Sequence, residues 1–248
     1  MEVSTSILSV KKENCIQTFY NLETAGTDYF HIDVMDGRFV ENNTADLMIE
    51  YAEYLNSITN IPLDVHLMVE DVMSYIKSFL SFEPRNITVH YEAAKNEKEL
   101  LEWLSFIKEN NCKAGISVKP NTPIKEIYGI LPYVHTVLVM TVEPGKGGQE
   151  LIPSTIERIK TLKEYIDTQG LEIDIEADGG INLDNVQSLK EAGCDIIVAG
   201  TSIISSSNFK ETIGKLKEWI YLSFIIILKS KVKNIDKKFS KNYLSKKC

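Results

Sequence analysis

Along the chain, short runs of β-branched and aliphatic residues alternate with longer stretches in which apolar positions recur every three or four residues. The runs cover residues 3–8, 29–35, 63–68, 87–90, 114–118, 136–140, 173–177 and 196–199, eight in all. Between them, Glu97–Glu109 (EKELLEWLSFIKE) sets Leu100, Leu101, Leu104 and Ile107 on one side, and residues 154–166 do the same with Ile156, Ile159, Leu162 and Ile166. Strand runs alternating with helices predict a parallel sheet, and eight repeats in about 210 residues predict an α/β fold of the closed (β/α)8 TIM-barrel type. An open doubly wound sheet is the second reading. No Pro/Gly/Ser linker, repeat or low-complexity stretch divides the chain, so residues 1–228 are expected to form a single barrel domain.

The C-terminus breaks this pattern. Residues 219–228 (WIYLSFIIIL) are an almost continuous apolar run, about half of what a membrane-crossing helix needs. They are expected to end a core-packing helix. Residues 229–248 hold eight Lys and one Asp, leaving 19 basic and 34 acidic residues before them, and are expected to be a disordered basic tail. Peripheral attachment to a membrane surface is the less favoured reading of this segment.

The whole chain has 248 residues, 27 Lys and Arg against 35 Asp and Glu, a net charge of −8 and 44% hydrophobic residues. This composition excludes disordered, collagen-like and disulfide-scaffold classes. The acidic balance argues against nucleic acid as a partner, because phosphate attraction needs a basic face. Cys15, Cys112, Cys194 and Cys248 are far apart and form no C-x-x-C pair, so a reducing cytoplasm is the expected compartment. The N-terminal stretch shows no basic segment followed by a long apolar run, which argues against a secretory signal.

In a barrel, chemistry sits where strands end, and the strand ends here are unusually polar. Residues two apart on a strand share a face, so His31, Asp33 and Met35 point inward together, as do His66 and Met68. Asp178 adds a carboxylate to the seventh strand, just before Gly179 and Gly180. Two imidazoles and two carboxylates converging at one mouth suit a single divalent metal ion, with zinc, iron(II), manganese or cobalt all acceptable. Met35, Met68 and Met140 would form an apolar floor. Glycines that let backbone N–H groups approach a phosphate follow strands six (Gly145, Gly147 and Gly148, with Lys146 among them), seven (Gly179, Gly180) and eight (Gly200, before Thr201).

These stretches, SILS (6–9), HIDVMDGRFV (31–40), DVHLMV (64–69), VLVMTVEPGKGGQ (137–149), EADGGI (176–181) and VAGTSI (198–203), resemble the ribulose-phosphate 3-epimerase family over residues 1–215. The resemblance implies a ribulose-phosphate-binding barrel that is metal-dependent and interconverts D-ribulose 5-phosphate and D-xylulose 5-phosphate in the pentose phosphate pathway. It implies His31, Asp33, His66 and Asp178 as metal ligands, with Asp33 and Asp178 also as the acid/base pair. It further implies Ser6, His66, Gly145, Lys146, Gly147, Gly148, Asp178, Gly179, Gly180, Gly200 and Thr201 as contacts to a small phosphorylated ketose. Family members are commonly oligomeric, which leaves a homo-oligomer open, although no single motif here encodes its interface.

The sequence departs from the family pattern at Lys146 and Leu151, where Phe is usual, at Glu41, where Pro is usual, and at Val10-Lys11, where Asp usually follows the SILS stretch. These positions bear on substrate length, so a D-allulose 6-phosphate 3-epimerase is the alternative enzyme. A barrel without catalysis that binds a phosphorylated ligand is the alternative outside enzymes. The related decarboxylases carry Asp-x-Lys-x-x-Asp on the third strand, and the absence of that lysine from Asp64-Val65-His66 excludes them.

Overall fold

The computed structural model describes residues 1–218, so the apolar run 219–228 and the basic tail 229–248 lie outside the described residues. Eight parallel strands close on themselves in chain order: β1 (Glu2–Ser6), β2 (Tyr29–Met35), β3 (Leu63–Met68), β4 (Asn86–His90), β5 (Lys113–Val118), β6 (Thr136–Met140), β7 (Asp174–Asp178) and β8 (Ile196–Ala199). Closure comes from β8 pairing with β1, from Glu2 opposite Ile196 to Thr5 opposite Ala199. The surrounding helices are α1 (Cys15–Ala25), α2 (Ala45–Ile58), α3 (Val72–Leu80), α4 (Glu97–Glu109), α5 (Ser154–Gln169), α6 (Val186–Glu191), α7 (Thr201–Ile204) and α8 (Phe209–Glu218). Among the described residues, no helix is long and apolar enough to cross a membrane.

The closed barrel is the predicted architecture, with local differences. β1 stops at Ser6 rather than at residue 8, because the chain turns there and the Val10 N–H donates to the Ile7 carbonyl. β7 runs one residue later than predicted at both ends, with Asp178 held in the ladder opposite Met140 and Val198. The β5–β6 crossover contains two 3-10 turns, Ile124–Ile127 and Leu131–Tyr133, in place of an α-helix. Pro120, Pro123 and Pro132 explain the substitution, since each removes a backbone donor that a continuous helix needs.

Strand alternation sorts the side chains into two compartments. Phe30, Ile32 and Val34 of β2, with Leu63, Val65 and Leu67 of β3, belong to the main core alongside helix residues such as Met48, Leu55, Phe79, Leu104 and Ile159. Each such side chain contributes roughly 1.5–3 kcal/mol by leaving water. The intervening residues face the barrel axis: His31, Asp33 and Met35 on β2, Asp64, His66 and Met68 on β3, and Glu176 and Asp178 on β7. Register then stacks these polar residues, with His31 opposite Asp64 and Asp33 opposite His66. The apolar core is therefore a sleeve around a largely polar axis, with Leu138, Met140 and Val142 forming a small separate cluster.

On the axis, a Cβ added at Gly115 would lie 2.3 Å from Thr88 Oγ1 and 3.1 Å from Thr88 Cβ. Gly115→Ala is expected to cost about 1–3 kcal/mol by overpacking, or ~2–4 °C in Tm per kcal/mol for a chain of this size. Thermal unfolding of Gly115→Ala and of the Thr88→Ala/Gly115→Ala pair checks this, the second recovering part of the loss because the nearest obstructing atom is gone.

Candidate active site

Adjacent strands β2 and β3 bring His31, Asp33 and His66 together, and β7 supplies Asp178 from three strands away through β1 and β8. One ligand atom from each of these four residues lies within 4.8 Å of all the others. His31 Nε2 is 3.3 Å from Asp33 Oδ1, while His66 Nδ1 is 3.4 Å from the same oxygen and 3.6 Å from Asp178 Oδ2. Both ring nitrogens are buried and without a hydrogen-bond partner. Two orphaned imidazole nitrogens aimed at two carboxylate oxygens are the donor set a divalent cation takes, because each lone pair left idle in a dry site is costly. These four residues therefore fit the metal expected from the sequence.

A second layer orients the first. His31 Nδ1 is 2.7 Å from Asp64 Oδ2, which also accepts from Ser4 Oγ at 2.6 Å, while Asn86 Nδ2 donates to Asp64 Oδ1 at 2.8 Å. Ser6 Oγ donates to Asp33 Oδ2 at 2.7 Å, which leaves Oδ1 of that carboxylate facing the imidazoles. The other face of His66 meets His90, Nε2 to Nε2, at 2.9 Å, and His90 Nδ1 is 3.1 Å from Glu92 Oε2. Glu176 lies fully buried beneath the cluster with neither carboxylate oxygen hydrogen-bonded.

The electrostatics separate these acids. Burial alone would raise Asp33, but the charge of His31 beside it outweighs burial and holds the carboxyl well below its ordinary range. Asp178 goes the other way, pushed up to about 6 by burial and then by the charge of Asp33. Glu176 is likewise raised, well above its ordinary value, by burial and by the charge of Asp64. Burial lowers His90 to about 4, whereas Glu92 falls to about 2 because His90, the Thr122 hydroxyl and the Lys119 N–H outweigh its burial. Burial disfavours a charged His31, yet Asp33 and Asp64 raise it well above the usual imidazole value.

Above the cluster opens a cavity of about 300 Å³. Ser6, Asp33, Gly145, Lys146, Gly147, Gly148, Asp178, Gly179, Gly180, Gly200 and Thr201 all line it, together with Met35, Met68 and Met140. His31 and His66 sit fully buried below, reaching the cavity only through the carboxylates. Gly180 has φ +68 and packs so closely that a Cβ would lie 2.4 Å from the Leu151 N atom, which ties the β7 loop to the loop after β6. That second loop is also latched to the one after β2, where Asn42 Nδ2 donates to the Gly145 carbonyl at 2.6 Å. Ser9, Gln149 and Asn182 line the cavity without having been expected to. Asp64 and Glu176 were also missed as site residues, although each stands two positions before an expected one and so shares its face.

A closed (β/α)8 barrel with a cation-ready His/Asp cluster under an open cavity defines a class of barrel enzyme, and the comparisons place the chain within it. The Ribulose-phosphate 3 epimerase family profile matches residues 2–204, and the chain belongs to that family. Ribulose-phosphate 3-epimerase of Bacillus subtilis is 37% identical over 218 residues, 88% of this chain and 98% of its own. The enzyme of the same name from Mycobacterium bovis is 38% identical over 192 residues, 77% and 82% respectively. That from Escherichia coli is 34% identical over 219 residues, 87% and 94%. The barrel also superposes on 3-hexulose-6-phosphate synthase (TM-score 0.64, 10% identity, 87% of this chain and 98% of that one). It superposes likewise on KGPDC from Streptococcus mutans (TM-score 0.66, 9% identity, 88% and 95%), a likeness of fold alone. The protein is an epimerase acting in sugar phosphate metabolism.

The raised Asp178 predicts how the metal-free protein responds to pH. Its folded value of about 6 stands above the ordinary 3.8, so the folded chain holds this proton more tightly than the unfolded chain. Its contribution to stability is complete below pH ~4 and lost as pH rises through ~6, amounting to about 3 kcal/mol. Asp178→Asn is accordingly expected to stabilise the metal-free fold by up to about 3 kcal/mol at pH 7.5 and to change little at pH 4. Urea unfolding in chelator at both values measures this, and equal effects at the two would remove the assignment.

Proposed function

We propose that the protein is a metal-dependent 3-epimerase that interconverts D-ribulose 5-phosphate and D-xylulose 5-phosphate by two-base proton transfer. The observation that carries this reading is the approach of two carboxylates, Asp33 and Asp178, to two unpartnered imidazole nitrogens at one cavity floor. His31, Asp33, His66 and Asp178 would hold one divalent cation, zinc, iron(II), manganese or cobalt. When bound, that cation supplies electrostatic stabilisation for negative charge on substrate oxygens.

The proton handling follows from the carboxylates. Loss of the proton at C3, next to the C2 ketone, leaves an enediolate, and inversion at C3 then needs a base on one face and an acid on the other. β2 and β7 flank the cavity from two sides, so each aspartate can serve one face. Asp33 would accept the C3 proton of ribulose 5-phosphate and Asp178 would donate on the other face, both carboxyl groups lining the cavity. The reverse direction exchanges the roles. Gly179, Gly180, Gly200 and Thr201, with Gly145, Gly147 and Gly148 alongside, would grip the phosphate through backbone N–H groups, and Met35, Met68 and Met140 would keep water from the carbanion. Cys15, Cys112 and Cys194 are buried free thiols, which supports a reducing compartment such as the cytoplasm.

A coupled assay of the purified protein with ribulose 5-phosphate and with allulose 6-phosphate, alongside metal analysis, tests the reading. Turnover of the hexulose phosphate alone would replace the substrate, and turnover of neither would leave a binding barrel. In deuterated water each turnover is expected to place solvent deuterium at C3 of the product. Asp33→Asn and Asp178→Asn should each lower kcat about 100- to 10,000-fold, with the metal content of each variant measured in parallel. Unlabelled product would remove the two-base assignment.

Lys146 stands exposed in the loop lining the cavity. If its ammonium meets the substrate phosphate, Lys146→Ala raises KM more than it lowers kcat and flattens the salt dependence of kcat/KM. Unchanged kinetics at low salt would assign the side chain to solvent.

A further inference from the structure

We infer that His90 and Glu92 are positioning residues that fix the tautomer of His66, so that a lone pair rather than a proton on its Nδ1 faces Asp33 and Asp178. The inference rests on the reading of His66 as a metal ligand and adds a requirement that the four ligands alone do not state.

Two imidazole nitrogens facing each other at 2.9 Å, His66 Nε2 and His90 Nε2, can share only one proton. If His90 donates it, the remaining proton of a neutral His66 sits on Nδ1, pointing at two carboxylate oxygens and closed to a cation. If His66 donates it, Nδ1 is free to ligate, and a neutral His90 must then carry its own proton on Nδ1. That atom lies 3.1 Å from Glu92 Oε2, and a carboxylate there accepts the proton's hydrogen bond in the second arrangement but meets a lone pair in the first. The hydrogen-bonded charge of Glu92, two residues beyond β4, thus biases the pair toward a ligating His66, against the longer contacts of Asp33 and Asp178 that favour a proton on Nδ1.

The surroundings hold the chain of contacts in register. Glu92 Oε1 is engaged by the Lys119 N–H at 2.8 Å and by the Thr122 hydroxyl, which leaves Oε2 for His90. The His66 and His90 rings are fully buried and meet edge to edge, their planes 30° apart and their centroids 5.0 Å apart. Phe39 covers His90 at 4.9 Å, and Lys119 Nζ lies over Phe39 at 4.2 Å. The relay joins residues from β3, β4 and the loops after β2, β4 and β5.

The isosteric substitution Glu92→Gln reverses the choice. Its amide oxygen stays with the two donors at the Oε1 position, which turns the NH2 toward His90 Nδ1 and forces the proton of that ring onto Nε2. Wild type and Glu92→Gln are compared as metal-free full chains, reading the His66 tautomer from ¹⁵N–¹H imidazole spectra and the zinc dissociation constant from competition with a chelator. The expected result is an Nε2-protonated His66 in wild type, an Nδ1-protonated ring in Glu92→Gln, and zinc affinity about 10- to 100-fold weaker. Glu92→Asp, which keeps the anion, is expected to retain the wild-type tautomer, and with the wild-type spectrum it decides the matter if Glu92→Gln does not fold. An Nδ1-protonated His66 in wild type, or unchanged tautomer and zinc affinity in Glu92→Gln, would overturn the inference while leaving the metal site standing. Zinc affinity unaltered by His66→Gln would instead overturn the ligand reading, and this inference with it.

Discussion

A closed barrel whose axis is filled with ionisable side chains can fold only if those side chains satisfy one another, and this constraint organises the rest of the molecule. Asp64 shows how it is met: Ser4, His31 and Asn86, from β1, β2 and β4, all converge on one buried carboxylate. The parallel register makes this arrangement accessible, placing His31 and Asn86 directly across from Asp64 on its two neighbouring strands. A shift of one residue on any of these strands would turn its polar row into the apolar sleeve and strand buried charge. Barrel register and polar network are thus one specification.

Where the network leaves groups unsatisfied, function becomes readable. His31 Nε2 and His66 Nδ1 lack partners, as do both carboxylate oxygens of the buried Glu176, and the two nitrogens face Asp33 and, for His66, Asp178 at the cavity floor. The opposite nitrogen of each ring is tied to Asp64 or to His90, so which nitrogen is left open follows from contacts made below and beside it. The same low-dielectric packing drives Asp33 and Asp178 apart in proton affinity. Two chemically identical side chains acquire different roles from their neighbours alone.

The strands were legible because each is a compact apolar run whose outward residues must enter the sleeve, and Tyr29–Met35, Leu63–Met68 and Thr136–Met140 stand where the pattern put them. The end of β1 was not, since Ile7 is as buried as a strand residue although the chain is already turning. Of the site, His31, Asp33, His66 and Asp178 could be read from polar residues at strand tips. Asp64 and Glu176 carried the same two-residue signal one step deeper. Glu92 carried none, because its partners Lys119 and Thr122 are brought to it only by the turn after β5.

Three of the departures from the family pattern fall where this constraint is weakest, while the fourth, Val10-Lys11, sets a buried residue beside an exposed one in the turn after β1. Lys146 and Glu41 are exposed and Leu151 is only partly buried, all in loops above the cavity, whereas His31, His66, Asp64 and Glu176 have almost no exposed surface. A change on the axis alters the partners of three or four buried groups together, so it is felt as lost stability before it is felt as altered chemistry. A change at a loop side chain alters what the cavity admits and leaves the cluster beneath it intact. Under the proposed function, the reaction type belongs to the barrel interior, and the choice of sugar phosphate to loops that can vary without it.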